Sequence, residues 1–265
     1  MYLELYGLKE SPFNVTCDPE FFFEGTSHKE ALAALFYGIQ EKKGIVLITG
    51  EVGTGKTTVC KTILGRLSRD VKTAVIFNPY FNEVQLLKAI IADFGIKVTK
   101  KSRLDIVNSL NSFLLEVNSA GGNAVLIIDE AQNLTSRQLE QIRLLSNLET
   151  AKEKLLQIVL FGQPELKEKL KKFNLRQIYQ RVFVQHHILP LKKEEIKRYI
   201  NHRLNKAGIT DIEILPQSHE VIYRFSQGSP RLINMICDRA MLCGFVKNSK
   251  AFGPELFEAC IKELE

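Results

Sequence analysis

The chain has 265 residues, which is long enough for one large domain or for a large domain and a small one. Its 45% hydrophobic and 25% charged residues are ordinary for a globular protein and exclude a disordered or low-complexity class. The formal net charge of +6 fits attraction to nucleic acid, to an acidic partner or to a membrane surface, and equally a merely solvated surface.

Cysteine usage and hydropathy narrow the class of protein further. The five cysteines are odd in number and form no C-x-x-C pair, so we expect reduced thiols rather than a disulfide framework or a zinc site. Residues 1–10 lack the pattern of a signal peptide. No apolar stretch approaches the ~18 residues of a membrane span. We therefore expect a cytoplasmic protein, which would dock at the inner membrane through a partner if it serves a membrane machine.

The first 190 residues alternate between strand and helix patterns. An irregular, aromatic-rich segment covers 1–26, and a helix over 27–42 follows with Ser27 as N-cap and Glu30 at the capping-box position. Short apolar strands separated by helices are typical of a parallel sheet covered on both faces. The predicted strands are 44–49, 73–78, 124–129, 156–161 and 182–189. The predicted helices between them are 55–69, 83–94, 103–118, 136–147 and 165–173.

The pattern changes after Pro190, where no strand candidate remains. Four helices are predicted at 194–207, 219–227, 230–245 and 254–264. Pro230 and Pro254 suit the first turns of their helices. We therefore predict an α/β domain over 1–190 and an all-helical domain over 191–265.

A glycine-rich loop follows the first predicted strand. It reads Gly50-Glu51-Val52-Gly53-Thr54-Gly55-Lys56-Thr57, which matches G-x-x-x-x-G-K-[ST] completely, and Thr58 comes next in the helix. The glycines let backbone N–H groups surround phosphate oxygens, and the helix dipole adds positive potential. Lys56 would reach the β and γ phosphates, and the Thr57 hydroxyl would bind Mg²⁺. The motif predicts a site for ATP and Mg²⁺; the alternative is a glycine turn that binds nothing.

Two acids end the third predicted strand. Ala124–Ile128 is apolar, and Asp129 and Glu130 follow it at the carboxyl end, where open α/β folds bind ligands. Asp129 would hold the magnesium ion directly or through water, and Glu130 would polarise the attacking water as a general base. The alternative is an acidic strand end that faces solvent. An acid directly after the magnesium ligand is typical of ATPases that carry their own catalytic glutamate.

These motifs together resemble the AAA+ ATPases: a P-loop core with a five-stranded parallel sheet and a C-terminal helical lid domain. Within them the chain resembles the general secretion pathway protein A group, whose ATPase module is similar to transposition regulators of the TnsC and TniB type. The stretches that carry the resemblance are 2–13, 50–58, 127–132, 161–166, 175–181 and 228–234. Members of the group can continue into a membrane span and a peptidoglycan-binding part, which this sequence lacks, so we expect a relative without them or the ATPase module of a longer protein.

The resemblance implies further site residues. Gln163 stands where such proteins place a polar sensor of the γ-phosphate, and Pro230-Arg231 resembles the sensor that reaches the phosphates from the lid. Arg181, with Arg176 in reserve, resembles the arginine finger that a neighbouring subunit supplies. Pro12-Phe13 and the aromatics of 21–23 are expected either beside the adenine or as a plug on the core.

Two functions remain open from the sequence. The first is an ATPase that forms a ring or filament and couples ATP turnover to assembly of an envelope secretion or pilus machine. The second is an ATP-dependent, DNA-binding regulator of the transposition type. Any DNA binding by this chain is expected to be weak. A third, weaker class is a scaffold that binds ATP without hydrolysing it, which an intact Glu130 argues against.

Overall fold

The computed structural model describes residues 2–97, 102–208 and 212–264, and their contacts divide them into two compact units. The first unit contains the described residues up to Lys29, the loop Glu51–Thr58 and the described residues from Leu189 onward. The second contains Glu30–Gly50 and Val59–Ile188. The division after Ile188 lies close to the predicted boundary, whereas residues 2–29 and the loop group with the C-terminal helices instead of the sheet. The division into functional domains stays a prediction.

The second unit is built on a parallel sheet of five strands in the order β2-β3-β4-β1-β5. The strands are β1 (Ile45–Gly50), β2 (Val71–Ile76), β3 (Asn123–Ile128), β4 (Gln157–Gly162) and β5 (Val182–Ile188). In chain order, the helices before β5 are α1 (Tyr2–Tyr6), which belongs to the first unit, and then α2 (Thr26–Gln40), α3 (Lys56–Arg66), α4 (Glu83–Asp93), α5 (Arg103–Ser119), α6 (Ser136–Leu145), α7 (Pro164–Leu170) and α8 (Arg176–Tyr179). The predicted sheet is confirmed.

The central strands form because they are uniformly apolar and buried on both faces. β1 and β4 are buried along their whole length, and in β3 only Asn123 is partly exposed. Alternate apolar side chains of these strands, such as Leu47, Leu126 and Leu160, pack from one face of the sheet against the helices of this unit in one continuous core. The core fixes the carboxyl edge of the sheet, where β1, β3 and β4 end next to one another.

The first unit has its own core, which is rich in aromatic residues. Its C-terminal helices are α9 (Lys193–Ala207), α10 (Pro216–Ser226), α11 (Pro230–Val246) and α12 (Pro254–Lys262). Tyr6, Phe13 and Phe21 of the N-terminal segment are buried among them. The N-terminal segment, which was predicted to be irregular, contains the short helix α1 and a 3-10 turn at Pro19–Phe21. This turn begins with an Asp18 cap.

Two further details differ from the sequence prediction. A small parallel pair, β6 (Glu213–Ile214) and β7 (Ala251–Phe252), lies among the C-terminal helices. The predicted Ser27 cap is wrong: α2 begins one residue earlier, and Ser27 Oγ instead accepts a hydrogen bond from the Leu189 N–H. Within the described part of the chain, no helix is both long and apolar enough to cross a membrane.

Candidate nucleotide-binding site

The loop at residues 51–55 has the backbone shape that its glycines require. Gly53 and Gly55 have φ of +80° and +92°, a region that L side chains rarely adopt. The Glu51 carbonyl accepts hydrogen bonds from the Thr54 N–H (3.3 Å), the Thr54 hydroxyl (2.8 Å) and the Lys56 ammonium (3.0 Å). Alternating backbone conformations of this kind turn successive N–H groups to one side, which makes a concave site for an anion.

The start of α11 packs directly on this loop, and both belong to the first unit. The Arg231 N–H and the Ser229 hydroxyl donate to the Gly53 carbonyl at 3.3 and 3.4 Å. A Cβ on Gly53 would lie 2.7 Å from Ser229 Oγ and 2.9 Å from Arg231 Cβ. Pro230 opens the helix, as predicted, and Arg231 is exposed. Within the first unit, the predicted lid sensor Pro230-Arg231 therefore lies at the glycine-rich loop.

His28 is part of the same cluster, although no sequence pattern indicated it. Its ring is buried, and Nε2 lies 2.8 Å from the Thr54 carbonyl oxygen. The Phe22 ring packs edge-on against the histidine at 5.8 Å between centroids. A Cβ on Gly55 would lie 3.2 Å from His28 Nε2, so glycine is needed here for the close approach as well as for its φ.

A small cavity with aromatic walls opens beside Gly55. Phe13 and Phe21 are buried in the core of the first unit, and Phe21, Phe22 and Phe23 line the cavity. The expected place of these aromatics beside the adenine stays a prediction. The complete lining is Phe21, Phe22, Phe23, His28, Gly55, Thr58, Leu191, Tyr199, Arg203 and Pro230.

Arg203 holds the N-terminal segment in place and was not predicted to do so. Its guanidinium is buried, lies 4.9 Å from the Phe21 ring centroid and donates to the carbonyls of Pro12 (2.5 Å) and Asn14 (3.2 Å). An arginine that satisfies backbone carbonyls in this way is a structural anchor for the wall of the cavity.

In the second unit, the two acids lie at the carboxyl edge of the sheet. Asp129 is 2% exposed, and its N–H continues the β2–β3 pairing by donating to the Ile76 carbonyl at 2.8 Å. Burial raises the pKa of the Cys60 thiol, and the charge of Asp129 raises it further. Glu130 has φ +51° and ψ +36°, the left-handed region, and its N–H donates to Asp129 Oδ1 at 2.9 Å. Such a backbone conformation in a non-glycine residue costs about 1–3 kcal/mol and clusters at functional sites.

Gln163 shares that edge. It directly follows β4, which lies between β1 and β3, so Gly50, Gln163 and Asp129 stand at the ends of three adjacent strands. The Gln163 N–H donates to Gln132 Oε1 at 3.1 Å, and Gln132 Nε2 donates to Glu130 Oε2 at 2.5 Å. Sequence analysis assigned no role to Gln132, because a single glutamine on a short turn carries no pattern.

The two candidate finger arginines differ in their surroundings. Arg176 is exposed, and its guanidinium lies 4.9 Å from the centroid of the Phe173 ring, which is itself 82% exposed. Arg181 is half-buried, and its Nη1 lies 3.5 Å from Ser146 Oγ at the end of α6. The finger role of each stays a prediction.

Comparisons with known proteins agree with this geometry. Residues 39–170 match a family model described as an AAA domain. The chain is also 43% identical over 250 residues to general secretion pathway protein A of Aeromonas hydrophila. The chain belongs to the AAA+ ATPase family. The predicted resemblance to the general secretion pathway protein A group is confirmed, and the matched residues cover 94% of this AAA+ chain but only 46% of that relative.

Solved structures show the same fold. The ORC2 protein of Aeropyrum pernix, in ADPNP-ADP complexes, is similar with a TM-score of 0.70 and 17% identity over 97% of this AAA+ chain and 72% of that one. The ORC1 protein of Aeropyrum pernix, in complex with DNA, has a TM-score of 0.69 and 15% identity over 98% and 70% of the two chains. At these identities the similarity shows the fold alone.

Proposed function

We propose that this AAA+ chain binds ATP with Mg²⁺ at residues 50–58 and hydrolyses it. The observation that carries the proposal is the loop geometry: Gly53 and Gly55 adopt positive φ and the Arg231 backbone packs on the loop. Positive φ at both glycines is the backbone geometry that can turn N–H groups toward an anion. The similar ORC2 structure holds ADPNP and ADP, which supports the same ligand class here.

The residues available fit the nucleotide and its metal. Lys56 is 6% exposed and would neutralise the β and γ phosphates, and the cavity beside Gly55 would take the adenine. The Thr57 hydroxyl and the buried Asp129 carboxylate are the oxygen ligands that Mg²⁺ prefers. When bound with ATP, Mg²⁺ would neutralise part of the phosphate charge.

Hydrolysis would use groups of this chain at the sheet edge. Glu130 would accept a proton from the attacking water, and a general base of this kind contributes about 10²–10⁴-fold to the rate. Gln163 would contact the γ-phosphate or the water, and Arg231 would reach the phosphates. A neighbouring subunit would supply Arg181, or Arg176, to stabilise charge on the transferred phosphoryl group, so we propose a ring or filament as the active form.

The partner that we propose is a component of an envelope secretion or pilus machine, which ATP turnover would help to assemble. The support is the 43% identity to general secretion pathway protein A, whose name places it in secretion. Because this chain spans less than half of that protein, the matched part is proposed to supply the ATPase activity alone.

Titration with a fluorescent ADP analogue tests nucleotide binding. Lys56→Ala should abolish binding, because backbone N–H groups alone cannot neutralise the β and γ charge. Lys72→Ala removes an exposed lysine of β2 and should bind as the wild type does. Equal affinities for both variants would contradict the proposed site.

A DNA-binding regulator is the second candidate, because the similar ORC1 structure contains DNA. The lysines and arginines within residues 167–172 and 192–203 argue for weak DNA binding at most. Lys169 donates to two carbonyls, Lys171 pairs with Glu168, Lys193 pairs with Glu220, and Arg203 is buried. We expect DNA binding only with ATP and only at low salt. The logarithm of the binding constant should fall with the logarithm of the salt concentration, with a slope of about −0.9 per phosphate contacted. Tight binding that survives 200 mM salt would put the regulator first.

A further inference from the structure

Gln132 connects the candidate general base to the turn after β4. It is the middle residue of the 3-10 turn Ala131–Asn133. Its Nε2 donates to Glu130 Oε2 at 2.5 Å, and its Oε1 accepts from the Gln163 N–H at 3.1 Å. Both polar atoms of the Gln132 amide are therefore hydrogen-bonded, one to the Glu130 side chain and the other to the Gln163 backbone.

The position of Gln132 is fixed by its surroundings. The Lys169 ammonium donates to the main-chain carbonyl of Gln132 at 3.0 Å and to that of Leu134 at 2.5 Å. A Cβ on Gly162 would lie 3.2 Å from Gln132 Oε1 and 2.5 Å from Leu166 Cδ2. The glycine that ends β4 thus leaves room for the amide, and the lysine of α7 holds the turn that carries it.

We propose that Gln132 is a positioning residue for ATP hydrolysis, which holds the Glu130 carboxylate and ties it to the backbone at Gln163. The inference rests on the proposed function, in which Glu130 is the base. A glutamate side chain has three rotatable bonds, and a fixed amide donor on one oxygen restricts them. The second oxygen then stays available to take the proton from water.

The test uses three variants of Gln132 in the full chain. Gln132→Met fills similar space without a donor or acceptor, Gln132→Ala removes the side chain, and Gln132→Glu places a second carboxylate against Glu130. The control is Asn133→Ala, which changes the next residue of the same turn. Asn133 bonds the Glu130 carbonyl through its backbone N–H, and this bond does not depend on its side chain. The measurements are the affinity for a fluorescent ATP analogue, kcat, KM and the pH profile of kcat.

We expect Gln132→Met and Gln132→Ala to lower kcat about 10- to 100-fold, within the contribution of a general base, with nucleotide affinity changed less than about threefold. Gln132→Glu should move the acidic limb of the kcat profile to higher pH, because two adjacent carboxylates resist double ionisation. Asn133→Ala should stay within about twofold of the wild type. A merely structural role would leave the pH profile unchanged.

Two outcomes overturn the inference, and both are distinct from failure of the proposed function. A wild-type kcat in Gln132→Met shows that the amide does not position the base, provided that Glu130→Gln is inactive in the same assay. A Gln132→Glu pH profile that matches the wild type shows that the two side chains do not interact during turnover. If Glu130→Gln hydrolyses ATP normally, the proposed function itself fails.

Discussion

Replacing Gly53 by alanine should weaken both the fold of the first unit and its affinity for nucleotide. The residue has φ +80°, which is strained for any L side chain. The added methyl group would meet Ser229 Oγ at 2.7 Å and Arg231 Cβ at 2.9 Å, both closer than real Cβ contacts. The start of α11 would have to move away, and the bond from the Arg231 N–H to the Gly53 carbonyl would lengthen from 3.3 Å.

The magnitude follows from these two causes. A left-handed backbone costs an alanine about 1–2 kcal/mol. Overpacking against the first turn of α11 costs about 1–3 kcal/mol more. Because Ser229 is a short side chain and Arg231 contributes its Cβ, neither contact is relieved by a flexible tip. We therefore expect the free energy of unfolding to fall by about 2–5 kcal/mol, and nucleotide affinity to fall at least about tenfold.

Urea unfolding and nucleotide titration of two glycine variants measure this effect. Gly65→Ala is the matched control, because Gly65 is an exposed residue of α3 and a Cβ there would meet nothing within 4 Å. Alanine in a helix is about 1 kcal/mol more favourable than glycine, so this variant should be slightly more stable than the wild type. A Gly53→Ala chain with wild-type stability and wild-type affinity would refute the argument from the loop.

Two further predictions concern the subunit interface and the start of α2. Arg181→Ala should keep nucleotide affinity and lose turnover, and mixing it with Lys56→Ala should restore part of the activity; no recovery at any ratio would refute a shared site. Glu195 accepts hydrogen bonds from the Thr26 N–H (2.8 Å), the Thr26 hydroxyl (3.0 Å) and the Lys192 N–H (2.9 Å), so Glu195→Gln should lower the free energy of unfolding by about 1.5–3 kcal/mol. Burial opposes ionisation, but these hydrogen bonds hold the pKa of Glu195 below 4.5, so its stabilisation is present above pH 4.5 and is lost as the pH falls through the lowered pKa. A stability difference between Glu195→Gln and the wild type that persists unchanged at pH 3 would contradict this account.

The sheet and the loop were predictable from the sequence because their signals are local. Uniformly apolar runs specify buried parallel strands, and each strand of the five-stranded sheet begins within two residues of its predicted start. The glycines of the loop are required by backbone geometry, which is visible in the sequence as a fixed spacing. The acids are found because they directly follow an apolar strand.

The features that the sequence did not reveal depend on contacts between distant residues. The α2 helix begins at Thr26 because a carboxylate 169 residues away accepts its first N–H, so the local Ser27 pattern was misleading. His28 and Arg203 support the loop and the cavity through contacts with residues elsewhere in the chain, which leave no period or spacing in the sequence. The strands β6 and β7 have two residues each, too few for any alternation to appear.

The central claim is that Glu130 activates water at a loop that binds ATP. Single-turnover hydrolysis of labelled ATP with Mg²⁺, at saturating protein, compares the wild type with Glu130→Gln while a parallel titration measures nucleotide affinity. We predict that Glu130→Gln binds ATP as tightly as the wild type and hydrolyses it at least about 100-fold more slowly, because the amide cannot accept the proton. An unchanged hydrolysis rate in this variant would contradict the account.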